Sequence, residues 1–194
     1  MYPNMYQNRG ATPLSDRVES ATSVTGCEIV KEILDCLEQS MCYHDNFSRK
    51  CHLMGLQGQK RWHRYYCTQK AFDIQRLQHY CIDVYKEDVS PTKLHDSVDF
   101  KDTEEYLNAY LNSLHTELNK FNSIYTKCIM NGFIKESEIV QKNICCVTKE
   151  LEKCNRWIQD FGCAEWDWSY IRVVDSKLHD KMKCKEAEEH GYKD

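Results

Sequence analysis

Residues 87–101, EDVSPTKLHDSVDFK, separate two long helical patterns and decide how the chain is wired. Pro91 removes a backbone donor, and the dense Ser, Thr and Asp residues favour turns and caps over helix interiors. Before this segment, apolar spacings alternate between four and three. They pick out Val30, Leu34, Leu37, Met41, His44, Ser48 and Cys51, then His63, Cys67, Lys70, Ile74, Leu77, Cys81 and Val84. After it, the same rhythm gives Leu107, Leu111, Leu114, Leu118, Phe121, Tyr125 and Cys128. A fourth series runs Val140, Ile144, Val147, Leu151, Cys154, Ile158 and Phe161. One-sided stripes flanked by charged and amide side chains are the mark of amphipathic helices sharing a core.

Punctuation divides the stripes into pairs. Gly55 and Gly58 bracket a short break, so helices over about 26–54 and 59–86 form an antiparallel hairpin. Asn131 and Gly132 stop a third helix, about 102–130, before a fourth, about 133–162. Asp102 or Thr103 caps the third helix, with Glu104 and Glu105 in its first turn. Helices of this length extend roughly 40 Å at 1.5 Å per residue. A connection of about 15 residues reaches roughly 50 Å when extended. It is therefore long enough to cross the whole bundle and start helix three parallel to helix two. A loop folded back on itself is the other arrangement its length allows.

Composition agrees with an all-α chain. Only 7 Gly and 3 Pro occur in 194 residues, too few breakers for a fold of many turns. The net charge of −4 offers no general basic footprint for nucleic acid, and no nucleic acid is expected as partner. No apolar run approaches the ~18 residues of a membrane span. Met1 to Asp16 is polar, without the charged-then-apolar pattern of a signal peptide, so residues 1–25 are expected to form a flexible arm. The organisation is thus an arm, a four-helix bundle over 26–162, and a partly helical C-terminal extension over 163–194. In that extension, Trp166, Trp168, Tyr170, Ile171 and Val174 cap one bundle end or dock a short fifth helix. From Lys177 onward charges dominate, and a solvated helix is expected. The 12 Cys lack any C-x-x-C pair and sit largely on helix stripes, as small apolar core residues of a reducing, cytoplasmic compartment.

Helix two carries a family resemblance. The stretch 58–80, GQKRWHRYYCTQKAFDIQRLQHY, resembles the second helix of ferritins, in which a Gly opens the helix, an aromatic follows and Leu-x-x-Tyr closes it. Gly58, Trp62, Leu77 and Tyr80 take those places. Together with the hairpin, crossover and hairpin, this resembles the ferritin-like superfamily. The resemblance implies a di-iron centre built from carboxylates and a Glu-x-x-His on this helix. Here Lys70 stands at the Glu place and Asp73 at the His place, and no Glu-x-x-His occurs on the four helices. An ammonium in place of a bridging carboxylate removes a ligand and adds like charge beside the metals, so the di-iron centre is expected to be lost.

Depth counted from the turns brings His44, Lys70, Asp73 and Glu117 to one layer, with helix four passing near Gln141 and Cys145. Two arrangements fit those residues. Lys70 neutralises Asp73 or Glu117 as a buried ion pair, with His44 hydrogen-bonded nearby. Alternatively, His44, Asp73 and Glu117 bind one divalent ion such as Fe²⁺, Mn²⁺ or Zn²⁺, with Lys70 turned outward. Two lesser constellations are Cys51, His52 and His63 at the first turn, and the basic-aromatic run Lys60 to Tyr66, which mixes phosphate-binding and stacking side chains. No catalytic residues are assigned. The expected role is a structural or interaction module that needs no cofactor, with a protein partner or a homo-oligomer formed through Tyr65, Tyr106, Tyr110, Trp166 and Trp168. The competing reading is a metal-binding protein of iron-storage or di-metal oxidase type.

Overall fold

The computed structural model describes residues 24–92 and 99–190; the expected arm, 1–25, lies outside them except for its last two residues. Five helices follow in order: α1 (Gly26–Leu53), α2 (Gln57–Tyr85), α3 (Thr103–Asn131), α4 (Ile134–Cys163) and α5 (Trp168–His190). Thr25 caps α1 in a capping box with Glu28, satisfying two donors that the first turn leaves free. Asp102 caps α3 by accepting from the Glu105 N–H. The two hairpin turns close through Gly55 (φ 77°) and Gly132 (φ 75°), a left-handed conformation that glycine adopts without a Cβ clash.

Cross-helix contacts establish the directions of the four rods. Between α1 and α3, Glu32 pairs with Lys127, Gln39 with Lys120 and Ser40 with Glu117, so one number rises as the other falls. These helices are antiparallel. Between α2 and α3, Gln59 meets Tyr106, Trp62 meets Tyr110 and Lys70 meets Glu117. Both numbers rise together, so α2 and α3 are parallel. The crossover is therefore full-length. Its N-terminal part is tied near the start of α1, where the Thr92 N–H donates to Asp35 at 2.5 Å. Its end is tied near the finish of α1 by Lys50 and Asp99 at 2.5 Å. Val89 and Phe100 bury into the core at either end.

The core is a column of apolar layers interrupted at mid-height. Ile29, Val30, Ile33, Leu34 and Leu37 of α1, Leu77 and Cys81 of α2, Phe121, Ile124 and Cys128 of α3 and Val140 of α4 fill one end. Leu56, Leu107, Cys154, Trp157 and Phe161 fill the other. Two stripes are rotated from the alternation of four and three. On α3, Leu111, Leu118 and Tyr125 are only half-buried, whereas Tyr110, Glu117 and Ile124 face inward. On α4, Asn143, Glu150 and Trp157 are inward, whereas Ile144 and Ile158 lie at the edge. The inward face of a bundle helix is wider than one apolar seam, and here part of it is polar.

The C-terminal extension is more ordered and better packed than its charge suggests. α5 lies along α2 and buries Ile171, Leu178 and Met182. Asp175, also buried, accepts the Gly58 N–H at 2.9 Å and the Gln59 N–H at 2.8 Å, supplying from another helix the cap that α2 lacks locally. Three apolar residues spaced among charges, with Asp175 between them, dock it. Among the described residues no helix is long and apolar enough to cross a membrane.

Candidate functional site

The interrupted layer is a connected set of polar side chains drawn from all four bundle helices. Lys70 of α2 is 3 % exposed, and its Nζ lies 2.7 Å from Glu117 Oε1 of α3. The other oxygen of Glu117 accepts from Ser40 Oγ of α1 at 2.9 Å. Both carboxylate oxygens are thereby occupied by protein donors. Burial alone would lower the Lys70 ammonium, but the charges of Glu117 and Glu150 and the hydrogen bond to Glu117 outweigh it and raise it above its usual range.

Beside the ion pair runs a second network. His44 Nδ1 and His63 Nδ1 are 2.9 Å apart, and His63 Nε2 is 2.6 Å from the Tyr106 hydroxyl. Tyr106 in turn donates to Gln59 Oε1 at 2.9 Å. His44 Nε2 faces Glu150 Oε2 of α4 at 3.4 Å. That oxygen also accepts from the Tyr110 hydroxyl at 2.7 Å, while Trp62 Nε1–H donates to Tyr110 at 3.0 Å. Hydrogen positions are assigned from this pattern, since each group must donate and accept consistently. Because Tyr106 donates to Gln59, His63 Nε2–H must donate to Tyr106. His63 Nδ1 then accepts from His44 Nδ1–H, which leaves His44 Nε2 as an acceptor facing a protonated Glu150.

The electrostatics agree with that assignment. Burial raises Glu150 to about 8; Lys70 and the Tyr110 hydrogen bond pull it down, and Glu117 pushes it up. Burial lowers His63 to about 3, and burial with the His63 and Lys70 charges lowers His44 well below its usual value. The His44–Glu150 contact is therefore an imidazole facing a neutral carboxyl rather than an ion pair. Glu150 Oε1 is the sole fully buried side-chain oxygen or nitrogen without a hydrogen-bond partner among the described residues.

A pH dependence of stability follows. Glu150 keeps its proton in the fold up to about pH 8 but would lose it above 4.5 in the unfolded chain. Stability therefore falls as pH rises through that window, by about 1.4 kcal/mol per unit. The two imidazoles stay neutral in the fold but take up protons below 6.5 when unfolded. Their contribution is lost as pH falls below 6.5, at up to twice that slope. Urea denaturation across pH is expected to give a stability maximum near pH 6.5. The loss from there to pH 8 should be about 2 kcal/mol, and Glu150→Gln should remove that loss. A flat profile from pH 6.5 to 8 in the unaltered protein would mean that Glu150 is ionised in the fold.

Of the residues expected in this layer, His44, Lys70 and Glu117 are there. Asp73 is not: its carboxylate is 31 % exposed, faces Arg76 at 3.7 Å and lines a surface groove with Leu77, Lys142 and Asn143. The helix-four partner is Glu150, not the depth of Gln141 and Cys145. Glu117 lies 14 residues before Asn131 and Glu150 lies 18 after Gly132, about one helical turn deeper than counting from that turn gives. His63, Tyr106 and Tyr110 also belong to this network. Tyr106 and Tyr110 are buried at 0 % and 1 %, which removes both from the expected oligomer surface. His63 is buried beneath His44 and Tyr106, whereas His52 is exposed and contacts Gln57 and Lys60, so no Cys51–His52–His63 site forms. Among the described residues no group of three His, Cys, Asp or Glu side chains is arranged to hold a metal.

No family model matches the sequence, and no curated protein matches it. Solved structures do. An open-pore ferritin from the hyperthermophilic archaeon Archaeoglobus fulgidus superposes with a TM-score of 0.70 at 8% identity, over 81% of this chain and 97% of its own. An engineered closed form of that ferritin gives 0.72 at 8% identity, over 81% and 97%. A humanized archaeal ferritin gives 0.72 at 8% identity, over 81% and 98%. At that identity the likeness is one of architecture, and it coincides with the wiring read from the cross-helix contacts. The chain has the ferritin-like all-α fold.

Proposed function

We propose that this protein is a ferritin-like bundle in which a buried ion pair and hydrogen-bond network occupy the level of a di-iron centre, and that it works as a structural or interaction module. The observation that carries this reading is the Lys70 ammonium, 2.7 Å from Glu117 inside the bundle. Iron, as the ferritin neighbours' name implies, would need several oxygen and imidazole donors free to coordinate. Here both Glu117 oxygens accept protein hydrogen bonds, both His44 nitrogens are engaged, and Glu150 is held protonated. A cation in that layer would face an ammonium and would first have to strip these donors. The donor set does not fit a di-metal site.

The competing reading is a metal-binding bundle with an altered site, and the unpartnered Glu150 Oε1 is the observation in its favour. Metal analysis of protein purified without chelator distinguishes the two. We expect substoichiometric iron, manganese and zinc. Stoichiometric metal that disappears in His44→Ala and Glu117→Ala would reverse the conclusion.

As an interaction module the chain offers one bundle end, where Met54, Trp166, Trp168 and Ile171 line a cavity of ≈ 420 Å³ and Trp168 is 44 % exposed. An exposed aromatic at such a rim supports a protein partner or a second copy. Twelve unpaired thiols, with Cys27 and Cys81 sulfurs only 3.5 Å apart, support a reducing compartment such as the cytoplasm.

A further inference from the structure

The basic-aromatic run at 60–66 has two faces. Trp62 and His63 turn into the bundle and serve the buried network. Lys60, Arg61, Arg64 and Tyr65 turn outward, at the spacing of one helical face, and meet α5 across a cleft of ≈ 330 Å³. That volume is within the range of small-ligand pockets, about 300–1,000 Å³. α5 contributes His179 and Glu186 to the walls, and Lys185 stands with its Nζ 4.0 Å from the Tyr65 ring.

The charge of this cleft is opposite to that of the whole chain. Three cationic side chains line it against one carboxylate, in a protein of net charge −4. The carboxylate, Glu186, is already committed to Arg61 at 2.6 Å. That pair fixes the Arg61 guanidinium at the wall and joins α5 to α2. Lys60 reaches only the His52 ring, at 3.3 Å, and Arg64 takes part in no ion pair among the described residues. Two cations without carboxylate partners among the described residues, held by a helix beside a third, are poorly matched by a single carboxylate ligand. A phosphate suits them, because it carries more charge and presents several acceptor oxygens to guanidinium forks.

We infer that the cleft between α2 and α5 binds a small phosphate-bearing anion, with Arg64 and Lys60 as its principal donors and Arg61 positioned by Glu186. The site lies outside the mid-bundle layer, so it stands whether or not that layer holds a metal.

Calorimetric titration of the full chain at low salt with inorganic phosphate, pyrophosphate and ATP tests the inference. Saturable binding of pyrophosphate or ATP is expected, with inorganic phosphate weaker because it engages fewer donors. Arg64→Ala and Lys60→Ala should each weaken binding by about tenfold. Glu186→Gln should tighten it, since a negative charge leaves the wall while the amide oxygen can still accept from Arg61. Lys31→Ala, an exposed cation on α1, should change nothing. The inference is overturned if none of the three ligands saturates the protein, or if Lys31→Ala weakens binding as much as Arg64→Ala. Capture of a single-stranded oligonucleotide that pyrophosphate does not displace would also overturn it, in favour of a nucleic-acid surface.

Discussion

Lys70→Met is expected to destabilise the protein by about 3–5 kcal/mol, because it leaves Glu117 buried without its cation. For a chain of this size that corresponds to a fall in Tm of about 6–20 °C. The cost comes from desolvation rather than from the lost attraction. Lys70 and Glu117 are 3 % and 7 % exposed, so water cannot replace the missing ammonium. Ser40 would still donate to one Glu117 oxygen, and the other would lose the donor that now holds it at 2.7 Å. The double variant Lys70→Met/Glu117→Leu removes both charges and should recover most of the loss, since a buried ion pair adds little over well-packed apolar residues. Chemical denaturation of the wild type, both single variants and the double variant reads the coupling directly. If Lys70→Met costs less than about 1 kcal/mol, the ammonium is not paired in a dry interior.

The second large effect is expected at Gly58. A Cβ added there would lie 2.0 Å from the Asp175 carbonyl oxygen and 2.8 Å from the His179 backbone nitrogen. These are backbone atoms of α5, so no side-chain rotation relieves the overlap, and α5 must move off α2. Gly58→Ala is expected to cost about 3 kcal/mol or more, the upper end of overpacking, against the fraction of a kcal/mol that Ala normally gains over Gly in a helix. Displacement would also break the two hydrogen bonds by which Asp175 caps α2 and expose Ile171, Leu178 and Met182. The loss should therefore appear locally first. Trypsin should cut at Arg172, Lys177 or Lys181 much faster than in the unaltered protein while the four-helix core still melts cooperatively. Unchanged protease resistance would mean that α5 does not seat on this glycine. Asp175→Asn, which keeps the shape and one acceptor oxygen, should have the smaller effect of a weakened cap, about 1 kcal/mol.

Much of the architecture was legible because helix signals are local. The stripes, Gly55, Gly132 and the Asp102 cap each act within a few residues of themselves, and the helix limits agree with them within about two residues. The crossover was legible as one of two arrangements its length allows, and the parallel pairing of α2 with α3 selects it over a folded-back loop. The buried layer was legible in part. His44 and Lys70 interrupt apolar series at regular positions, which marks them as inward-facing. Glu150 gave a weaker signal, because Val147 and Leu151 supply an apolar seam that passes beside it. The ferritin-helix alignment and depth place Asp73 in the layer, but the core side of α2 at that height is held by Lys70 and Ile74.

From the residues alone came the four bundle helices, their pairing into hairpins, a connection long enough to return between them and the presence of polar side chains within the core. Periodicity and turn chemistry depend on neighbours in sequence, and these survive without tertiary information. Only the tertiary structure decided the rotation of α3 and α4 about their own axes, and therefore that Tyr106, Tyr110 and Glu150 point inward. It also decided that α5 lies on α2 rather than in solvent. A rotation of one residue is about 100° and costs a helix nothing by itself. What selects it is the combined packing of all the rods, together with the requirement that each buried donor find an acceptor.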